Sequence, residues 1–470
     1  MVHVLVIGAY GSAGSAVAES LAGRDGVELT LVDDGDPGGG LCILRGCMPS
    51  KAILSAAEHA HAPRHDPRVR GEAEVDLEAV VERKDERVLG YAEHRRAAIH
   101  ELADCEGVSF HHETARFVDD RVVAVGDERY EPDYVVVATG STVTLPDLPG
   151  MDADRVLTSA DVLDATELPD SGVVMGFGYV GLELVPYLAA AGVDLTVIEH
   201  DDVPIDEAGP AFGETILERY AEDFGVEIRT TTHERRVEWT DEGVRLHVED
   251  EDGTDAIDAE ALFCFTGRRP AVDGLGLEAA GVDVDPGWVE PTMQTRDHPR
   301  VFAVGDVNGH EPILHVAKEQ GALAAENLLA HHREEPLEPY ENVHHHVIFT
   351  GLGIYPFARV GHSPERARDA GLDPIVVERA AADDGVFGVK ELPYGLARLV
   401  VDRDGTVLGY VGLHYHADVM AKTMQVIVEL GLDVRDVPDR AYHPTTPEIL
   451  DGLFREATAA LEARGSGAEQ

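Results

Sequence analysis

A strand, a glycine-rich turn and a helix in the middle of the chain constrain its fold most strongly. In SGVVMGFGYVGLELVPYLAAAGVDLTVIEHDD, the residues Gly176, Gly178 and Gly181 have the spacing GxGxxG between an apolar strand and a helix-forming segment. Glycines at this spacing let a dinucleotide pyrophosphate approach the N-terminus of a helix. Glu199 ends the next strand, where a carboxylate accepts hydrogen bonds from a ribose 2′-hydroxyl and repels a 2′-phosphate. The pattern predicts a parallel α/β domain that binds NAD(P)H, with NADH favoured; arginines elsewhere leave NADPH open.

A second turn of this kind follows the first strand of the chain, VHVLVI. Its glycines are Gly8, Gly11 and Gly14. Tyr10 changes the spacing to GxxGxxG, so a tight turn without a ligand is the competing interpretation. The next strand is followed by Asp33 and Asp34, near the position of a ribose-binding carboxylate. In a chain this acidic a further aspartate also occurs by composition alone, so the residues leave both assignments open.

A pair of cysteines stands beside a run of glycines in residues 38–51, GGGLCILRGCMPSK. Cys42 and Cys47 have four residues between them. Two cysteines at this spacing can close a small ring across the start of a helix, where the positive end of the helix dipole lowers a thiol pKa. In an intracellular protein such a pair is more often catalytic or metal-binding than structural. We interpret it as a redox-active disulfide held against a flavin.

Acidic residues outnumber basic residues by more than two to one. The 470 residues include 89 Asp and Glu against 38 Lys and Arg, which gives a formal net charge of -51. Such a surface repels nucleic acid and anionic membranes, and acid spread along a whole chain is typical of proteins that stay soluble in concentrated salt. The sequence has no twenty-residue apolar run and no signal peptide. We therefore expect a halophilic, cytoplasmic protein of several domains without nucleic-acid or membrane partners.

Six motifs occur along the chain in a defined order: GCMPSK, VVATGS, MGFGYVGLE, FTGRRP, VFAVGDVN and YHPTTPE. Together they resemble the pyridine nucleotide-disulfide oxidoreductases, the family of glutathione reductase, dihydrolipoamide dehydrogenase and mercuric reductase. The resemblance spans residues 2–453. It implies an α/β fold with two doubly wound, Rossmann-like dinucleotide-binding domains and an α+β C-terminal dimerisation domain. The implied segments are an FAD-binding domain at 1–145, an NAD(P)-binding domain at 146–270, a second FAD-binding and central part at 271–338, a dimerisation domain at 339–460 and a disordered tail at 461–470.

The resemblance also implies roles for individual residues. Cys47 is the thiol next to the flavin and Cys42 the thiol that attacks the substrate disulfide, while Lys51 lies beside the flavin and Glu183 pairs with it near the nicotinamide. The implied FAD-binding residues are Gly8, Gly11, Gly14, Asp33, Asp34, Thr139, Gly140, Asp306 and Ala317. The implied NAD-binding residues are Gly176, Gly178, Gly181 and Glu199. Taken alone, an aspartate such as Asp306 is more commonly a helix N-cap.

The segment AYHPTTPEIL supplies a candidate base. His443, followed five residues later by Glu448, resembles the His-Glu pair that the family inserts into the active site of the partner subunit. A histidine oriented by a carboxylate can take a proton from one thiol and return it to another near neutral pH. The resemblance thus implies a homodimer with shared active sites. It also implies a relay from NADH through FAD to the Cys42–Cys47 disulfide, then to a substrate disulfide by way of a mixed disulfide at Cys42.

Departures from the family pattern bear on the substrate. No cysteine follows Cys264, so the C-terminal cysteine pair of mercuric reductase and the large thioredoxin reductases is absent from the sequence. Leu41 precedes the first active-site cysteine, and Arg45 adds a cation inside the redox loop, which suits an anionic disulfide better than apolar lipoamide. An arginine that neutralises nearby acids is an equal alternative. We expect no metal site, because the adjacent histidines of VHHHVIF fit a solvated loop better than one ion.

Three functions are therefore compared. The first is an enzyme that reduces a small anionic disulfide, resembling the bis-γ-glutamylcystine reductase branch. The second is dihydrolipoamide dehydrogenase, the E3 subunit of 2-oxo acid dehydrogenase complexes, which works in the opposite direction. The third is a flavin- and nucleotide-binding protein without disulfide turnover, which the joint presence of Cys42, Cys47 and His443 disfavours.

Overall fold

The structure is a computed structural model and describes residues 1–71 and 73–467. The chain divides into two compact units. The first unit comprises Met1–Lys51, Val81–Thr144 and Gly267–Asn342. The second comprises Ala52–Val80, Leu145–Thr266 and Val343–Gln470, of which 468–470 lie outside the described residues.

Five parallel strands form the centre of the first unit. Their spatial order is Val301–Ala303, Tyr134–Val137, Val2–Ile7, Val27–Val32 and Val108–His111. The strands are short apolar runs, as expected for a parallel sheet that is covered on both faces. Two small antiparallel sheets accompany them: Ala115–Asp119 with Val122–Val125 and Glu128–Tyr130, and Ser141–Val143 with Arg268–Pro270.

Helices of the first unit follow the strands at their carboxyl ends. Ser12–Leu21 and Leu314–His332 pack against each other through small residues, which lets the two backbones approach closely. The cysteine segment forms the short helix Leu41–Leu44 and the start of the helix Cys47–His65. The remaining helical elements are Leu77–Ala103 and the 3₁₀ turns Leu277–Ala280 and Gly305–Asn308.

The second unit begins with another parallel sheet. Its strands, in spatial order, are Glu227–Arg229, Asp194–Ile198, Ser171–Met175 and Ala261–Cys264. An antiparallel meander of His233–Thr240, Gly243–Asp250 and Gly253–Ala259 accompanies it. The helical elements are Ser159–Asp164, Tyr179–Ala190, Pro210–Phe224 and the 3₁₀ turn Asp206–Ala208.

The C-terminal part of the second unit is an antiparallel sheet with helices. The strands, in spatial order, are His345–Ile348, Phe357–Gly361, Val407–Leu413, Leu396–Val401 and Ile375–Ala380. The helices Ala417–Glu429 and Glu448–Gly467 bury apolar side chains with this sheet in one core. Shorter elements are the helices Pro364–Asp369 and Gly385–Val389 and the 3₁₀ turns Thr350–Gly353 and Ala381–Asp383.

These sheets confirm the predicted fold class of two doubly wound, parallel α/β domains with an α+β C-terminal domain. Two details were predicted wrongly. Of the predicted disordered tail at 461–470, residues 461–467 continue the helix Glu448–Gly467, in which Leu461 packs into the core, and residues 468–470 lie outside the described residues. The histidines of VHHHVIF do not form a solvated loop: His345 and His346 begin the strand His345–Ile348 and are partly buried.

Within 1–71 and 73–467, no helix has both the length and the apolar composition needed to cross a membrane.

Candidate active site

A cavity of about 570 Å³ lies in the first unit at the carboxyl ends of its parallel strands. Ile7, Val32, Ala138 and Val304, each at or just after the end of a strand, contribute to its wall. Open parallel sheets bind ligands at this edge, where the strand order reverses. The cavity brings together eleven residues predicted from the sequence: Gly8, Gly11, Asp33, Asp34, Cys42, Arg45, Cys47, Thr139, Gly140, Asp306 and Ala317.

In the first glycine turn, Gly8, Gly11 and Gly14 take the places of the three glycines of GxGxxG, although Tyr10 adds one residue between the first two. Gly8 has a φ of +94°, and a Cβ atom there would lie 2.4 Å from the carbonyl oxygen of Ala138. Gly11 is the N-cap residue of the helix Ser12–Leu21. Gly14 does not line the cavity; a Cβ on it would lie 2.2 Å from the Gly8 carbonyl oxygen. Gly14 therefore allows the helix to pack on the turn, and Tyr10 is the extra residue within it.

The two aspartates after the second strand have different surroundings. The carboxylate of Asp33 accepts hydrogen bonds from the backbone N–H groups of Tyr10 and Gly35, both at 2.9 Å. Burial raises the pKa of Asp33, and these two N–H groups oppose that rise. Asp34 is exposed and accepts a hydrogen bond from the Thr114 hydroxyl at 2.9 Å. Asp33 therefore fastens the strand end to the glycine turn, while Asp34 lies at the rim of the cavity.

Asp306 belongs to a polar network that the sequence did not predict. Its carboxylate accepts a hydrogen bond from the Ser141 hydroxyl at 2.8 Å. Arg268 donates to the Ser141 hydroxyl at 2.9 Å and to the Ser141 carbonyl oxygen at 2.7 Å. Burial lowers the pKa of Arg268, and the charge of Asp306 opposes this. The residue that caps the 3₁₀ turn Gly305–Asn308 is Val304, so the N-cap interpretation of Asp306 is wrong.

Ser141 and Arg268 were not among the predicted site residues, although both belong to recognised motifs. Ser141 ends VVATGS, and Arg268 lies in FTGRRP. A third missed residue, Gln320, accepts hydrogen bonds from the backbone N–H of Gly305 and from the Asn308 side chain, both at 2.8 Å. These bonds fix the turn that carries Asp306. No signal in the sequence distinguished Gln320, because the same helix also contains Lys318, Glu319 and Glu326.

The cysteine pair occupies the junction of two helices. Cys42 lies in the helix Leu41–Leu44, and Cys47 is the first residue of the helix Cys47–His65, where the helix dipole favours a thiolate. A side-chain hydrogen bond joins Cys42 and Cys47. This bond to Cys47, together with burial, raises the pKa of the Cys42 thiol, and the charge of Lys51 acts in the opposite direction. Cys42 therefore holds its proton more firmly than an ordinary thiol does.

The second glycine turn repeats the first one in the second unit. Gly176 has a φ of +92°, Gly178 is the N-cap of Tyr179–Ala190, and a Cβ on Gly181 would lie 2.6 Å from the Gly176 carbonyl oxygen. Glu199 accepts a hydrogen bond from the backbone N–H of Phe177 at 3.0 Å, as Asp33 does from that of Tyr10. The strand-end acid and the glycine turn are thus fastened together in both places.

Four further predicted residues do not line this cavity: Lys51, Glu183, His443 and Glu448. Glu183 lies on the helix Tyr179–Ala190 and accepts a hydrogen bond from the Phe349 backbone N–H at 3.2 Å. His443 is exposed, and Glu448 accepts a hydrogen bond from the Thr445 backbone N–H at 3.1 Å. The His443–Glu448 and Lys51–Glu183 pairs stay predictions.

The cavity residues suit FAD on steric and chemical grounds. The Gly8 position leaves no space for a side chain, so backbone groups can approach a pyrophosphate at the N-terminus of Ser12–Leu21. Asp33 and Asp34 can accept hydrogen bonds from a ribose, and Ser141 holds the Asp306 carboxylate where it can accept hydrogen bonds from the ribityl hydroxyls of a flavin. The cysteines line the same cavity. Such a cavity matches a flavin-linked cysteine pair in both shape and donor set.

Comparison with known families agrees with this assignment. Residues 2–321 match the family described as "Pyridine nucleotide-disulphide oxidoreductase", and residues 346–453 match the dimerisation domain of that family. The chain belongs to the pyridine nucleotide-disulphide oxidoreductase family. It is accordingly a flavin-dependent disulfide oxidoreductase that uses FAD and NAD(P)H and carries a domain for homodimer formation.

Individual relatives cover nearly the whole chain. The dihydrolipoyl dehydrogenase of Haloferax volcanii is 30% identical over 467 residues, covering 95% of this chain and 94% of that protein. The mercuric reductase of Bacillus cereus is 29% identical over 452 residues, covering 92% of this chain and 68% of that protein. The structure of LpdA from Mycobacterium tuberculosis has the same fold, with a TM-score of 0.82 at 22% identity over 97% of this chain and 99% of that one. The haloarchaeal relatives fit the acid-rich composition of a halophile.

Proposed function

We propose that this enzyme reduces a small anionic disulfide of the γ-glutamylcystine type with electrons from NADH. The observation that carries the proposal is the position of Arg45, an exposed residue of the segment between Cys42 and Cys47. In a chain with 38 basic and 89 acidic residues, a cation at the reactive thiols is unexpected by composition. A guanidinium there suits a carboxylate-bearing substrate and offers nothing to an apolar one.

In the proposed reaction Cys42 forms the bond to substrate and Cys47 breaks it. The Cys42 thiolate attacks one sulfur of the substrate disulfide, which releases the other half as a thiolate that takes a proton. The Cys47 thiolate then attacks the Cys42 sulfur, which releases the second half and closes the Cys42–Cys47 disulfide. The bound flavin, once reduced by NADH, would supply the two electrons that return the pair to the dithiol. His443 of the partner subunit would accept the Cys42 proton and return it to the leaving thiolate.

Glu199 supports NADH as the electron donor. Its two carboxylate oxygens accept backbone N–H groups, from Phe177 at 3.0 Å on one and from His200 at 2.7 Å on the other. The negative charge is therefore fixed at the end of the strand, where it disfavours a 2′-phosphate. Glu199→Gln should reduce the NADH over NADPH preference in kcat/KM about tenfold. Asp194→Asn, at the opposite end of the strand Asp194–Ile198, is the matched control and should leave the ratio unchanged. A preference for NADPH in the unaltered enzyme would refute this assignment.

The substrate is tested with Arg45 itself. We would assay the purified enzyme in high salt with bis-γ-glutamylcystine, cystine, oxidised glutathione and dihydrolipoamide, each with both nicotinamides. Arg45→Gln should raise the KM for the anionic disulfide about tenfold, which corresponds to about 1.4 kcal/mol, and the effect should shrink as salt rises. Arg24→Gln, which removes a surface arginine paired with Glu326, is the control. An unchanged KM in Arg45→Gln would show that the arginine only neutralises nearby acids.

Dihydrolipoamide dehydrogenase is the second candidate, because relatives named dihydrolipoyl dehydrogenase match almost the entire chain. Fast NAD-dependent oxidation of dihydrolipoamide, with no reduction of the anionic disulfides, would establish it and refute our first proposal.

The substitution Cys42→Ser tests the reaction class itself. The variant should lose disulfide turnover and still pass electrons from NADH to the flavin, and retained disulfide turnover would refute the relay.

A further inference from the structure

The three glycines before the redox cysteines are pressed against the rest of the first unit. A Cβ atom on Gly38 would lie 2.0 Å from the ring of Tyr10, and one on Gly39 would lie 2.8 Å from the Cβ of Ala92. Gly40 has a φ of +83°, and its Cβ would lie 3.1 Å from the Cα of Gly11. The redox loop, defined here as residues 38–47, is therefore in direct contact with the first glycine turn and with the helix Leu77–Ala103.

Tyr10 is the extra residue of the glycine turn and is held rigidly. Only 3% of it is exposed, and its backbone N–H donates to Asp33 at 2.9 Å. Its hydroxyl forms a hydrogen bond of 2.8 Å with Nε2 of His100, and its ring packs on Phe110 with 5.1 Å between ring centroids. A side chain fixed at its backbone, its ring and its hydroxyl presents a firm surface to Gly38.

Arg96 holds the same glycine from another direction. Its guanidinium donates to the carbonyl oxygen of Gly38 at 2.7 Å. Arg96 lies one helical turn before His100, so the helix Leu77–Ala103 supplies both the arginine and the partner of Tyr10. A charged donor on a backbone carbonyl makes a short, strong hydrogen bond. Gly38 is thus fixed on its carbonyl side by Arg96 and at its Cα by the tyrosine ring.

We propose that Tyr10 and Arg96 are positioning residues for the redox pair. By fixing Gly38, four residues before Cys42, they keep the Cys42 thiol close to the Cys47 thiol. Closing a disulfide needs the two sulfur atoms in a narrow range of distance and torsion angle. A loop that is already held near this geometry loses less freedom when the bond forms, and its effective thiol concentration is higher. Loosening the loop should therefore shift the pair toward the dithiol. This inference rests on the proposed redox role of the pair.

The test measures the thiol–disulfide equilibrium of the holoenzyme and not its turnover. The enzyme is equilibrated with mixtures of reduced and oxidised dithiothreitol, quenched in acid, and its free thiols are tagged and counted by mass. Arg96→Gln should move the equilibrium about tenfold toward the dithiol, equivalent to a rise of about 30 mV in reduction potential. Tyr10→Phe, which keeps the ring and removes only the bond to His100, should move it about threefold. Arg96→Lys, which keeps a charged donor, should restore the equilibrium to within twofold of the unaltered enzyme.

Two matched controls separate positioning from general destabilisation. Arg95→Gln alters the neighbouring arginine of the same helix, which donates to the Ser15 hydroxyl at 2.8 Å. Tyr134→Phe removes another buried tyrosine–histidine bond of the same unit, that to His331 at 2.8 Å. Both should stay within twofold of the unaltered enzyme.

The proposal is overturned if Arg96→Gln does not shift the equilibrium, or if the controls shift it equally. If Arg96→Gln does not fold, the proposal is overturned when Tyr10→Phe leaves the thiol–disulfide equilibrium unchanged. If the unaltered enzyme forms no Cys42–Cys47 disulfide at all, the proposed function fails instead.

Discussion

The raised pKa of Cys42 leads to a quantitative prediction for His443. The hydrogen bond to Cys47 and burial place the Cys42 pKa above the ordinary thiol value of 9.0. A raised pKa means that the protonated form is favoured, so at pH 7 the thiolate is at most about 1% of Cys42. The nucleophile of the proposed reaction is this thiolate. A base must therefore take the proton during attack, and general bases typically contribute about 10²–10⁴ in rate.

His443→Gln should lower disulfide turnover at pH 7 by about 100-fold or more. Because the variant depends on the spontaneous thiolate, its rate should rise about tenfold for each pH unit between pH 7 and pH 9, while the unaltered enzyme changes far less. The assay is NADH-linked reduction of the preferred disulfide across this pH range in constant high salt. His332→Gln, an exposed histidine at the end of the helix Leu314–His332, is the control and should follow the unaltered enzyme. A His443→Gln variant within tenfold of the unaltered rate, with the same pH profile, would refute the reasoning.

Three further substitutions test the site and its support. Gly14→Ala places a methyl group against the Gly8 carbonyl and should cost about 1–3 kcal/mol, seen as loss of bound FAD absorbance, whereas Gly90→Ala, with open space around it, should retain FAD. Arg268→Met removes two charge-assisted hydrogen bonds and should weaken FAD binding to the apoprotein by about 2–3 kcal/mol in a fluorescence titration. His61, 4% exposed, has a pKa lowered by burial to about 4, so the unfolded state binds more protons between pH 6.5 and pH 4. Stability should fall by about 2 kcal/mol from pH 7.5 to pH 5 in denaturant titrations and should fall less in His61→Phe.

Close steric contacts between residues a few positions apart could be predicted from the sequence. Gly14 and Gly181 have the same role, because a Cβ on either would collide with the carbonyl oxygen of the first glycine of its own turn, at 2.2 and 2.6 Å. The GxxGxxG spacing concealed this equivalence. Gly11 and Gly178 are both N-cap residues, so the inserted Tyr10 is accommodated before the cap and leaves the helix start unchanged.

Contacts between segments that are far apart in the chain could not be predicted from the sequence. Arg268 and Ser141 are separated by 127 positions and meet only because the strands Arg268–Pro270 and Ser141–Val143 pair. The support of the redox loop by Tyr10 and Arg96 depends in the same way on the packing of the helix Leu77–Ala103. A single sequence contains no signal for such pairings, whereas glycine spacing and cysteine spacing follow from local geometry.

Composition alone could not decide the role of the acid after the second strand, because a chain with net charge -51 carries aspartates everywhere. Burial decides it for Asp33. A carboxylate that only added charge to the surface would stay in water, where its charge costs least. Asp33 instead accepts two backbone N–H groups in surroundings that raise its pKa, and Glu199 accepts the equivalent N–H in the other unit. The shared arrangement assigns both acids to the construction of their turns, and each carboxylate keeps at least one lone pair that can face a ribose.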